Sequence, residues 1–165
     1  MKRLMAMLTI APLVGALHAW SYTTPIENQT VETVTNLWDL GTTNLHVGSN
    51  TWGNAMVVTN GGTVSNRVGY IGFENGANGN RVEVFGPDSA WSCSSNLCMG
   101  VWSSSNALRI ADGGTVANAD AYLGIESSAS NNMAFVEGAG SVWSNAGWMS
   151  IGEVGPGNGI HVSDG

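Results

Sequence analysis

The chain has 165 residues and a formal net charge of −7, and only 10% of its residues are charged, against about 25% in a typical globular domain. Disordered chains usually combine high net charge with few aromatic residues, whereas this chain has seven Trp and frequent Val, so we expect it to bury a core. Its few basic residues argue against binding to nucleic acid or to anionic membrane surfaces.

The first predicted element is a secretory signal peptide over residues 1–21. The positive start Met1-Lys2-Arg3 precedes an uncharged apolar run, and Ala19-Trp20-Ser21 places small residues at the −3 and −1 positions of a cleavage site. A cut after Ala19 is the alternative. The apolar run is short for a membrane span of about 20 residues, and no later stretch is long enough. Its removal leaves three Arg against twelve acidic residues, a formal net charge of −9.

Residues 22–43 follow as a lead-in without the repeat described below. Within them, Leu37-Trp38-Asp39-Leu40 is expected to form a degenerate first strand or an N-terminal cap, because repeat arrays need capped ends.

Residues 44–165 consist of tandem repeats with a period of 52 residues. The segment 54–64, with its Gly-Gly-Thr-Val turn, returns at 106–116, and a third copy begins at 158. Each period also splits in two, because Asn recurs at half-period steps, as Asn54, Asn80 and Asn106. The glycines that follow Ile, Leu, Val or Met alternate between a shorter and a longer step, at Gly48, Gly72, Gly100, Gly124 and Gly152. The repeat unit is therefore predicted to be two coils of unequal length.

Short stretches of alternating apolar and polar residues, such as Val82-Glu83-Val84, predict short half-buried strands. The Asn-Gly, Asp-Gly and Gly-Gly pairs that follow them are typical of tight corners. Stacked copies bury the inner faces that one coil leaves open, and the repeated Asn side chains are expected to bond from coil to coil. These features predict an all-β, right-handed parallel β-helix (a β-solenoid). A β-propeller or an antiparallel β-sandwich is the alternative.

The ordered pattern of Gly-Asn-x-Val-x-Val, Gly-Gly-Thr-Val, Ile-Gly, Gly-x-x-Ser-x-Trp and a final apolar-Gly pair resembles the repeat found in type V secretion (autotransporter) proteins and PEP-CTERM-sorted surface proteins. The resemblance covers residues 44–165 and implies an exported β-solenoid passenger or surface array without assigned catalytic residues. The sequence has no translocator barrel and no sorting tail, so it is interpreted as the N-terminal part of a longer protein.

The candidate catalytic groups are Glu74 and Glu126, which are equivalent under the repeat. Two coils of sheet spacing separate them by about 10 Å, a little beyond the range of about 6.5–9.5 Å between the carboxylates of inverting glycosidases. We therefore interpret them as solvated corner residues, and we expect no catalytic residue, metal or cofactor in this segment.

Trp52, Trp102 and Trp148 fall outside the repeat register and are the candidates for an exposed ligand-stacking patch. By contrast, Trp91 and Trp143 recur, and they are expected to pack at a coil corner beside Gly86 and Gly138.

The two cysteines, Cys93 and Cys98, lie close together in the sequence of an exported chain, so a local disulfide is a candidate.

Together these features predict a secreted or cell-surface bacterial repeat module, at the outer membrane or outside it, with a structural or adhesive role. Its expected partners are surface glycans or ligands on host or neighbouring cells, and its open solenoid end predicts self-association. The alternative is the N-terminal part of a β-helix carbohydrate-active enzyme (a polysaccharide lyase or hydrolase), or a carbohydrate-binding module.

Overall fold

The computed structural model describes residues 24–164, and all regular structure there is β-strand. No helix in this part of the chain is long and apolar enough to cross a membrane. The predicted signal peptide lies outside the described residues. The strands are β1 (Thr24–Ile26), β2 (Val31–Val34), β3 (Leu37–Asp39), β4 (Leu45–Val47), β5 (Ala55–Val58), β6 (Thr63–Asn66), β7 (Gly69–Ile71), β8 (Arg81–Phe85), β9 (Ala90–Cys93), β10 (Leu97–Met99), β11 (Ala107–Ala111), β12 (Thr115–Asn118), β13 (Ala121–Leu123), β14 (Met133–Glu137), β15 (Val142–Asn145), β16 (Met149–Ile151) and β17 (Gly159–Ser163).

The strands form three parallel sheets, in which each strand pairs with the one three places later in the chain. Sheet A has the order β1-β4-β7-β10-β13-β16, sheet B has β2-β5-β8-β11-β14-β17, and sheet C has β3-β6-β9-β12-β15. One strand from each of sheets B, C and A makes a coil, so coils 1 to 5 are β2–β4, β5–β7, β8–β10, β11–β13 and β14–β16. The predicted parallel β-solenoid is therefore confirmed, and the antiparallel alternatives are excluded for the described residues.

The steps from coil to coil are unequal in sheet A and equal in most of sheet B. In sheet A, Leu45 pairs with Gly69 and Gly69 pairs with Leu97, so the second step along the chain is longer than the first. In sheet B, Ala55 pairs with Arg81 and Arg81 pairs with Ala107, and these two steps are equal. The connections between sheets therefore alternate in length, which confirms the predicted unit of two unequal coils.

The inward side chains explain why the repeat needs two coils. The inward column of sheet C alternates large and small residues in the order Trp38, Val64, Trp91, Val116, Trp143. The matching column of sheet A alternates in step, as Leu45, Gly69, Leu97, Ala121, Met149. A coil with Trp thus always lies next to a coil with Val, and the layers fill the interior at an even density.

Trp91 lies inside the core and not at the predicted coil corner beside Gly86. Its side chain has no exposed surface, and its indole Nε1 donates a hydrogen bond of 2.7 Å to Oδ1 of Asn66 in the preceding coil. A Cβ on Gly69 would overlap the tip of the Trp91 ring. The prediction was wrong because a glycine neighbour in sequence was taken for the contact, whereas the glycine that makes room lies one coil away.

A buried ladder of asparagines joins all coils at the edge where sheet A leads into sheet B. Each side-chain oxygen accepts bonds from the backbone and side-chain nitrogens of the ladder Asn in the preceding coil, as from Asn80 to Asn106 at 2.9 and 3.2 Å. The ladder residues are Asn54, Asn80, Asn106, Asn132 and Asn158. The glycine at the end of each sheet A strand leaves room for it, because a Cβ on Gly48 would overlap the Asn80 amide. The predicted coil-to-coil bonding by Asn is confirmed.

The two ends of the solenoid differ in chemistry. In coil 1, Glu32 occupies the inward column that continues with Met56 and Val82, and it is exposed because no coil covers it. An inward-pointing charge is a device that protects open sheet ends. The segment 22–43 supplies strands to all three sheets, and its role as a cap stays a prediction.

Candidate ligand-binding surface

The connections from sheet A to sheet B are the longest in each coil and line one edge of the solenoid. They carry Trp52 in coil 1 and Trp102 in coil 3, with exposed fractions of 60% and 46%. Because the asparagine ladder anchors the end of each connection from inside, this edge holds exposed side chains on a fixed backbone.

Trp102 lies in register between the two glutamates. Its backbone nitrogen donates to the oxygen of Phe73 at 3.0 Å, and the nitrogen of Glu126 donates to the oxygen of Val101 at 3.1 Å. In a parallel ladder these bonds place Trp102 beside Glu74 on one side and Glu126 on the other. The two carboxylates are thus two coils apart, about 10 Å, with an indole between them. An indole face flanked by hydrogen-bond acceptors can stack on a sugar ring and bind its hydroxyls.

An aromatic cluster that we did not predict adjoins this edge on the outer face of sheet A. The rings of His46 and Tyr70 stack with centroids 4.5 Å apart, and Phe73 meets them edge-on at 5.3 and 4.9 Å. Burial lowers the pKa of His46 below its usual value, against the opposing effect of the Glu27 and Glu74 carboxylates. The signal for the cluster was the central residue of successive sheet A strands, which faces outward in every coil.

The structure does not bring all three predicted stacking residues together. Trp52 and Trp102 lie on the same edge two coils apart, whereas Trp148 lies in the turn from sheet C to sheet A of coil 5. Trp148 is 80% exposed, and its backbone nitrogen bonds to Asp120 at 2.7 Å. The candidate surface is therefore reduced to Trp52, Trp102 and their neighbours.

The candidate disulfide between Cys93 and Cys98 is not formed, and both thiols are free and buried. Cys93 ends β9 facing the core beside Asn66. Cys98 is the central, outward residue of β10, between Tyr70 and Tyr122 of the adjacent coils. Two residues on opposite faces of different sheets do not direct their Cβ atoms at each other, as a disulfide requires. Burial raises the pKa of each thiol to about 12.

The outer face of sheet B carries the arginine–carboxylate pairs. Arg81 lies 3.3 Å from Glu83, and Arg109 lies 2.9 Å from Glu137 in the next coil. All four side chains are partly exposed, so each pair contributes little stability. Within the described part of the chain, no three His, Cys, Asp or Glu residues are grouped so that they could hold a metal ion.

Comparisons of the chain with protein-family models, with curated proteins and with solved structures found no match.

Proposed function

We propose that the chain is an exported repeat module of the bacterial cell surface, with a structural or adhesive role and no catalytic function in this segment. The observation that carries the proposal is the use of the repeated polar residues. The asparagines of the ladder bond to one another and to the backbone from coil to coil, and they do not converge on one reactive centre. Catalytic groups are normally unique in a chain, whereas these recur in every coil.

Export supports this reading through the N-terminal pattern of the sequence, which is typical of a signal peptide. The test is to express the full chain with a C-terminal tag in a bacterium and to determine the mass and N-terminus of the mature product. Release into the periplasm or medium with an N-terminus at Tyr22 or Trp20 supports export. An unprocessed chain in the cytoplasm would contradict it.

The adhesive role is proposed to act through glycans at the edge that holds Trp102. Its exposed indole, its two flanking carboxylates and the absence of a nearby ion pair in the described contacts suit a neutral or amine-bearing sugar. The test is binding to a glycan array by the wild type, Trp102→Ala and Trp148→Ala. Loss of a glycan signal in Trp102→Ala alone supports the proposal. Equal binding by all three proteins would contradict it.

A carbohydrate-active enzyme is the second candidate, and the alignment of Glu74 and Glu126 around Trp102 is the observation that favours it. The test is turnover of pectin-like and alginate-like polymers by the wild type and by Glu74→Gln. Turnover that Glu74→Gln abolishes would replace the adhesive proposal with this one.

We also propose that the C-terminal end of the solenoid is a contact surface for further solenoid coils. Its open edge strands and exposed apolar residues, including Ile151 and Val162, favour such a contact.

A further inference from the structure

The C-terminal end leaves uncovered the side chains that are core residues elsewhere. In coil 5, Met149 is 41% exposed and Ile151 is 44% exposed, while Trp143 is half-buried. Their counterparts in coil 3 are at most 1% exposed: Trp91, Leu97 and Met99. Coil 4 makes this difference, because it covers coil 3 with Val116 and Ala121.

We propose that this end binds a further coil of the same repeat class that carries valine opposite Trp143 and a small residue opposite Met149. The inference rests on the end contact proposed above and specifies its partner. It follows from the order inside the chain, where the layer after a Trp coil is always a Val coil. Val116 and Ala121 give the sizes that such a layer needs.

The first coil of a second copy does not meet this requirement. Pairing its β3 with β15 would bring Trp38 against Trp143, whereas within the chain each Trp of sheet C neighbours Val. Overpacking of this kind is destabilising. Its β2 also presents Glu32 in an inward column, so the approach would bury a carboxylate without a partner, which is costly. The chain thus has an accepting end and an end that is unsuited to fill it.

The test extends the full chain by one coil. Residue 165 occupies the repeat position of Gly113, so a copy of residues 114–137 appended after it continues the repeat in register. The matched control carries Val116→Trp in the appended copy only. Amide hydrogen exchange in β15 and β16 is then measured for the unextended chain and both extensions.

The valine extension is expected to slow exchange in β15 and β16 by about tenfold or more, because it converts edge strands into paired ones. The tryptophan extension is expected to protect them less, and Trp143→Val in the host is expected to restore its protection. Equal protection by both extensions would overturn the size rule, and protection by neither would overturn the end contact.

A third outcome is protection of β15 in the unextended chain that rises with protein concentration. It would make a second copy the occupant and would also overturn the inference. None of these outcomes bears on export or on glycan binding, because N-terminal processing and the Trp102→Ala variant test those separately.

Discussion

The indole Nε1 of Trp91 donates a hydrogen bond of 2.7 Å to the side-chain oxygen of Asn66, across the boundary between two successive coils. The same relationship recurs between Trp143 and Asn118 at 2.8 Å. A buried indole nitrogen needs an acceptor, and the asparagine of the Val coil supplies it. Trp and Val coils therefore form a pair that is joined by size and by hydrogen bonding, and this pair is the repeat unit seen in the sequence.

The asparagine ladder is expected to be a major source of stability. Replacing Asn106 with Ala removes the acceptor used by the backbone and side-chain nitrogens of Asn80, which are buried. Leaving buried donors without an acceptor costs about 1–3 kcal/mol, and denaturant unfolding monitored by circular dichroism measures the loss.

The matched control for the ladder is Asn78→Ala, because Asn78 is exposed and accepts bonds from Ser104 at the surface. Its cost is expected to stay within about 0.5 kcal/mol. If the two variants lost equal stability, the buried ladder would have no special weight.

Stability is expected to fall in mild acid because of His46. Burial lowers its pKa in the folded protein below the value of 6.5, so the unfolded chain takes up the proton first as the pH falls. Protonation of the unfolded state then reduces the free energy of unfolding between about pH 7.5 and about pH 5.5. His46→Phe is expected to flatten this dependence, as measured by urea unfolding across the window.

The control for the pH dependence is His161→Gln, because His161 lies exposed on β17. This variant is expected to keep the wild-type slope. A slope that survives His46→Phe would assign the acid sensitivity to other groups.

The thiols are expected to be inert in the folded protein. Cys93 and Cys98 are buried and the pKa of each is raised to about 12, so little thiolate forms at about pH 8. Ellman's reagent should modify neither in native buffer and both in denaturant. Rapid native modification, or an intact mass lower by two hydrogens, would contradict this.

Much of the fold could be predicted because the determinants repeat. The Asn and Gly positions recur in register, and a repeated corner together with β-type alternation fixes a stacked, parallel arrangement. Asn60 and Gly61, and likewise Asp112 and Gly113, adopt the positive φ that their corner pairs predicted. The sequence pattern thus carried the information that the corners and the stacking need.

The role of Trp91 was harder to predict, since its partners Asn66 and Gly69 lie a full coil earlier in the chain and meet it only when the coils stack. The surface at Trp102 depends on the register of irregular connections of different length, which short sequence patterns do not specify. Cys93 and Cys98 misled for a similar reason, because the short segment between them suffices for the chain to turn from one sheet into the next.

The most direct test of the large–small alternation is a double-mutant cycle between Gly69 and Trp91. In the wild type, Gly69→Ala is expected to cost about 1–3 kcal/mol, because the added Cβ overlaps the Trp91 ring. In a Trp91→Val background, which is itself destabilised, the same change is expected to cost little or to stabilise, with a coupling energy of about 0.5–3 kcal/mol. An equal cost for Gly69→Ala in both backgrounds would contradict the alternation.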